Sequence, residues 1–219
     1  MTIREEKIPQ KLSSSISDEI IFPLIREAVR RQVEVELFLP LERGIRMVIS
    51  DYCCERDCIV AENILKLRYK PQNYFGIPKS IQSPSNWANA AVLLREMFAK
   101  TIPFDRIEVL KAAIKEIPII YSHEILAKTD ITPRPPEYIG ADDMLPIFIF
   151  LLATSDLPFG LFSFSFEIEY LCGPNLKMSE TGYILATFEA SVRHLADIAD
   201  GEENRDSLFS DTRNTASSF

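Results

Sequence analysis

From Ser17 onward, apolar residues recur at helical spacing: Ile20, Ile21, Leu24, Ile25, Ala28 and Val29, then Val33 and Leu37. Ser17 or Asp18 serves as the cap, Pro23 falls near the first turn, and Pro40 ends or kinks the helix. "VEVELFLP" alternates like a strand, but good helix formers flank it on both sides, so helix is preferred. Further helical segments follow over Leu41 to Ile49, Asp57 to Tyr69, Trp87 to Lys100, and from Pro103 through Ile107, Leu110, Ala113, Ile114 and Ile117. Proline-rich loops separate them at "KPQNYFGIPKSIQSPSN" and "KTDITPRPPEYIG". The last ordered elements are Met144 to Ser155, Leu161 to Leu171, and Ser179 to Asp200. Sustained alternation is absent throughout, so the pattern predicts an all-α layered array of helices. Residues 1–16 read as a flexible polar lead-in and 201–219 as a disordered polar tail.

Two of these helices carry unusual information. In "GADDMLPIFIFLLA", apolar side chains from Met144 to Leu152 cover every side, which predicts a helix buried all round in the middle of the bundle. Two acids, Asp142 and Asp143, stand at its mouth. Asp143 as N-cap places Pro146 at the third helical position, where a missing N–H costs nothing. Asp142 then lies outside the helix, where it either only interacts with the helix dipole, as Asp143 also can, or serves a purpose beyond the helix. In "SETGYILATFEASVRHLADI", Leu185, Phe188, Val192, Leu195 and Ala199 share one face, the expected core side. Tyr183, Thr187, Ala190 and His194 fall opposite. The tyrosine is thereby expected on a solvent face, with small neighbours Ala186, Thr187 and Ala190 leaving a shallow docking groove.

Composition narrows the function. A formal net charge of −8 disfavours nucleic acid and anionic membrane and suits a basic protein partner. No apolar run is long enough to span a bilayer, and "MTIREEKIPQ" has no signal-peptide core, which predicts a soluble intracellular protein. Cysteines at 53, 54, 58 and 172 match no zinc or redox spacing and read as reduced, half-buried thiols on a helix. With only His123 and His194 available as bases, and no nucleophile or phosphate-loop motif, covalent catalysis is disfavoured. Neither metal nor cofactor is expected.

The blocks "GADDMLPIFIFLLATSDLP" and "GPNLKMSETGYILATFEASVRHL", with the spacing between them, resemble the two signature blocks of the vacuolar protein sorting 9 (VPS-nine) domain. "TIPFDRIEVLKAAIKEI" is similar to the helix that precedes them in that family, and residues from about 17 to 100 resemble its buttressing helical bundle. The resemblance implies a helical bundle over 17–101 packed against an exchange core over 102–200. It implies a guanine nucleotide exchange factor for Rab GTPases of the Rab-five subfamily, cytoplasmic and peripherally recruited to endosomes, with no covalent chemistry. Carried over position by position, the catalytic aspartate falls on Asp142. The GTPase-binding positions fall on Asp143, Pro146, Tyr183, Ala186 and Thr187. Threonine is common three residues after the tyrosine in the family; here Ala186 holds that place and Thr187 follows it. The alternative reading is a helical adaptor that binds a Rab without exchanging its nucleotide.

Overall fold

A computed structural model describes residues 18–127, 138–171 and 180–198. Among them are seven α-helices and no strand, so the architecture is all-α. They are α1 (Asp18–Leu37), α2 (Glu42–Leu67), α3 (Ala88–Ala99), α4 (Pro103–Tyr121), α5 (Ala141–Thr154), α6 (Leu161–Leu171) and α7 (Glu180–Asp197). One layer pairs α3 with α4 and another pairs α2 with α6; α5 and α7 pack together between them. The expected lead-in, the tail and most of the second proline loop lie outside the described residues.

The central helix is as apolar in place as in sequence. Ile147, Phe148, Leu151 and Leu152 of α5 are wholly buried, and Phe150 meets Phe75 edge-on at 5.3 Å. A ring relay joins the surrounding helices: Phe148 of α5 to Phe188 of α7 at 6.3 Å, and Phe188 to Phe164 of α6 at 5.6 Å, both edge-to-face. That geometry matches the aromatic quadrupole and fixes the three helices relative to one another.

The segments expected at 41–49 and 57–69 are one continuous 26-residue helix, α2. The stretch left between the two expected segments is "SDYCCER", residues 50–56. A buried stripe runs through it with polar members: Cys53, Asp57, Val60, Asn63 and Leu67 are all buried. Asp57 accepts the Phe162 N–H at 2.8 Å, the Ser163 N–H at 3.1 Å and the Ser163 hydroxyl, and so caps α6 from across the interface. Asn63 donates to the Leu195 carbonyl at 2.8 Å and the Ile198 carbonyl at 3.3 Å, closing the last turn of α7. Asp57 and Asn63 survive in this core because each terminates a neighbouring helix.

The α1 helix is turned opposite to its sequence pattern. Its polar face makes the anchors: Arg31 forks onto Asp105 at 2.9 and 3.1 Å, and Glu34 accepts the Phe104 N–H, an orphan donor in the first turn of α4. Phe22, Ile25, Val29, Val33 and Leu37 face outward. A buried ionic cluster joins three further helices. Glu167 of α6 accepts from Arg106 of α4 at 3.0 Å and from Arg46 of α2 at 3.2 Å. Arg106 also donates to the Lys100 carbonyl at 2.7 Å and lies 4.8 Å over the Phe164 ring.

Cys53 is buried, whereas Cys54 and Cys58 are exposed; Cys172 lies outside the described residues. Among the described residues no group of His, Cys, Asp and Glu is arranged to hold a metal ion, and no helix is long and apolar enough to cross a membrane.

Candidate functional site

The α5 helix begins one turn earlier than the sequence predicts. Gly140, with extended backbone, is the N-cap, and its carbonyl accepts the N–H groups of Asp143 at 3.2 Å and Met144 at 3.0 Å. Asp142 and Asp143 are therefore the second and third helical residues, and Asp143 makes no capping bond. The expectation that Asp143 caps the helix is corrected: a glycine carbonyl nucleates the first turn, and both carboxylates sit beside its free N–H groups, where the helix dipole favours negative charge. Pro146 accordingly stands at the sixth position, inside the helix. Lacking an N–H, it offers no bond to the carbonyl four residues back, which belongs to Asp142.

The two acids then part by direction. Asp143 is half-buried and faces the end of α4: burial pushes the Tyr121 phenol above its ordinary range, and the Asp143 carboxylate adds to that shift. Asp142 is exposed. The inward acid is committed to the chain's own packing, while the outward acid is available to a partner.

The last helix requires a second correction. Its buried face comprises Thr181, Ile184, Thr187, Phe188, Ser191, Val192 and Leu195, rotated by about one residue from the expected stripe. Thr187 is buried, not on the docking face. Its hydroxyl donates to the Tyr183 carbonyl at 2.9 Å, and that of Ser191 donates to the Thr187 carbonyl at 2.7 Å. Hydroxyls that bond back to their own helix can enter a core, which a polarity-based helical wheel does not anticipate. Pro146 is likewise buried and presents no surface to a partner. Ala186 is exposed, and Tyr183 retains 50% of its surface.

Helix direction brings the remaining site residues together. At their starts, α7 is tied to α4 by Lys115–Glu180 at 3.1 Å, and Asp143 of α5 acts on Tyr121 of the same helix. At their ends, Asp156 just beyond α5 meets Arg68 at 3.3 Å, and Asp197 of α7 meets Arg56 at 3.2 Å, both on the C-terminal half of α2 or its immediate continuation. The two helices therefore run parallel. Asp142 and Tyr183, 41 positions apart in sequence, stand in the opening turns of neighbouring parallel helices at one end of the molecule. Beside Tyr183, a groove of about 160 Å³ separates α6 from α7; Ile168, Leu185, Ala186 and Phe188 line it, and Glu169 and Glu189 stand on its two walls.

A helical scaffold that presents an exposed carboxylate and a half-exposed tyrosine at one end has the features of a protein-docking domain. The vacuolar sorting protein 9 (VPS9) domain family matches residues 87–200, and the chain belongs to that family. No curated protein matches the chain. Domains of this family are guanine nucleotide exchange factors for Rab GTPases, acting in membrane trafficking by nucleotide exchange without covalent chemistry, and this is the class of activity that the family assigns to the chain.

The sequence reading missed Asp57, Asn63 and Glu167, which hold the site's scaffold. Their signal was present as acids and amides at core spacing within otherwise apolar stripes. Glu169 and Glu189 carried no such signal, because only the packing of α6 on α7 places them across one groove.

Proposed function

We propose that this domain releases GDP from a Rab GTPase of the Rab-five subfamily at the surface of endosomes, with Asp142 as the acting carboxylate and Tyr183 as the principal docking side chain. The observation that carries this reading is the placement of both residues in the first turns of two parallel helices that pack against each other in the core. A GTPase holds GDP through backbone N–H groups, a lysine and Mg²⁺. An intruding carboxylate repels phosphate and offers the vacated lysine a partner. Two unit charges about 4 Å apart interact by roughly 4 kcal/mol at an effective dielectric of 20, before desolvation is subtracted. That gain is retained only if the carboxylate is already held in place. Asp142 is so held, because α5 is buried on every side beyond its first turn. Its backbone carbonyl, denied a helical donor by Pro146, adds a second acceptor at the same point. Asp143, Pro146 and Thr187 support this surface from within, and Ala186 forms part of it.

Competition between Asp142 and the GDP phosphates for one site makes the nucleotide-free Rab the tighter partner, and linkage makes the effect reciprocal. Titration of the domain with nucleotide-free and GDP-loaded Rab is expected to give at least about a tenfold difference in Kd, equivalent to 1.4 kcal/mol. Equal affinities would mark a Rab-binding adaptor instead of an exchange factor.

Tyr183→Ala is expected to weaken Rab binding by about 2 kcal/mol or more, the scale of an aromatic hot spot. It should leave the melting temperature nearly unchanged, since half of the side chain is already in solvent. A large drop in melting temperature with parental binding would make Tyr183 a packing residue.

A further inference from the structure

The groove between α6 and α7 has a chemistry that the exchange reading does not use. Its deep lining is apolar, Ile168 from α6 and Phe188 from α7, with Leu185 and the exposed Ala186 of α7 nearer its mouth. Glu169 rises on the α6 wall and Glu189 on the α7 wall, both half-buried. We infer that this groove is a subsite for one arginine side chain of the bound GTPase, its aliphatic stem lying on the floor and its guanidinium set between Glu169 and Glu189. The inference rests on the function proposed above and adds a recognition element to it.

Three properties of the groove select this occupant. A wholly apolar side chain would strip water from Glu169 and from the Glu189 oxygen that Arg193 does not hold, and return no hydrogen bond, which costs more than the floor repays. An anionic or phosphorylated group would meet like charge on both walls. An arginine satisfies floor and walls together: its methylene stem lies along apolar surface while the charged head stays at the rim. Its planar fork carries five donors and can reach carboxylates on two different helices, whereas a lysine ammonium is a compact point charge. Arg193 of α7 holds one Glu189 oxygen at 2.5 Å, which leaves the other oxygen and Glu169 for the incoming guanidinium. The net charge of −8 also favours a basic contact surface on the partner and speeds encounter.

Position ties the groove to the same interface. Gly182 and Ala186, one residue before and three after Tyr183, form part of its lining. A partner held by Tyr183 would lie beside it. Ala186 leaves the groove open, and a larger residue there would close it.

The test uses GDP release from a Rab-five subfamily GTPase, measured against concentration of the domain at two ionic strengths. Glu169→Gln combined with Glu189→Gln is expected to raise KM about tenfold at low salt, leave kcat unchanged and flatten the salt dependence, as for charges that guide association. Ala186→Leu, which blocks the groove and keeps both charges, is expected to raise KM at both ionic strengths. Melting temperatures should stay near the parental value, because Glu169 and Glu189 lie at the groove's edge and the Arg193 side of the pair is exposed. A double variant with parental KM and parental salt dependence overturns the inference while leaving the exchange activity standing. Failure of the unaltered domain to release GDP from any Rab overturns both.

Discussion

Glu167→Ala is expected to lower stability by about 3–5 kcal/mol, the cost of leaving a buried charge without its partner. Glu167 is buried, and it receives Arg106 on one oxygen at 3.0 Å and Arg46 on the other at 3.2 Å. Its removal strands Arg106, itself buried, with only the Lys100 carbonyl and the face of Phe164. Burial already pulls the Arg106 guanidinium down, and the Glu167 charge is the main influence opposing that shift. For a domain of this size the expected fall in melting temperature is roughly 6–20 °C. The double change Arg106→Met with Glu167→Leu should cost less than Glu167→Ala alone, because it removes both charges and fills the space. Chemical denaturation of the three variants checks this, and a loss below about 1 kcal/mol for Glu167→Ala would mean that water reaches the pair.

Asp142→Asn is expected to leave the fold within about 0.5 kcal/mol of the parent, as for an exposed change outside the core. It should nevertheless slow GDP release at least about tenfold, the factor for 1.4 kcal/mol of transition-state stabilisation. The substitution keeps the shape and removes only the charge, so it separates electrostatic displacement of phosphate from simple contact. Asp142→Ala should be no more than slightly worse. Asp143→Ala should behave in the opposite sense. Its carboxylate lies at the third position of α5 and faces Tyr121, so it contributes to the helix dipole interaction, worth about 0.3–1 kcal/mol, and its loss should appear in stability before it appears in exchange.

Much of the scaffold is readable from residue pattern alone, and the failures share a cause. The α5 helix is legible because eight consecutive core positions leave no polar face to misplace. The direction of α7 is misjudged by about one residue because Thr187 and Ser191 hide their hydroxyls on their own backbone. The interruption expected before Asp57 is continuous helix, because Asp57 itself enters the core, its charge satisfied only by the first turn of α6, more than 100 positions away in sequence. The face α1 presents is set by Asp105 and the Phe104 N–H, again distant groups. Local periodicity reports apolar burial well and polar burial badly, since a polar residue enters a core only when another segment supplies its hydrogen bonds. Of the candidate site, Asp142 and Tyr183 are singled out in sequence as a surplus acid and a tyrosine off the core stripe. Their placement at one end depends on α5 and α7 running parallel, which no local pattern encodes.

The central claim is that a carboxylate on α5 drives nucleotide release. The most direct measurement is the rate of labelled-GDP release from purified Rab-five subfamily proteins, with the unaltered domain and Asp142→Asn compared side by side at matched concentrations. Acceleration by the unaltered domain, cut at least about tenfold in Asp142→Asn at unchanged melting temperature, is the expected result. Equal acceleration by both proteins would contradict the account.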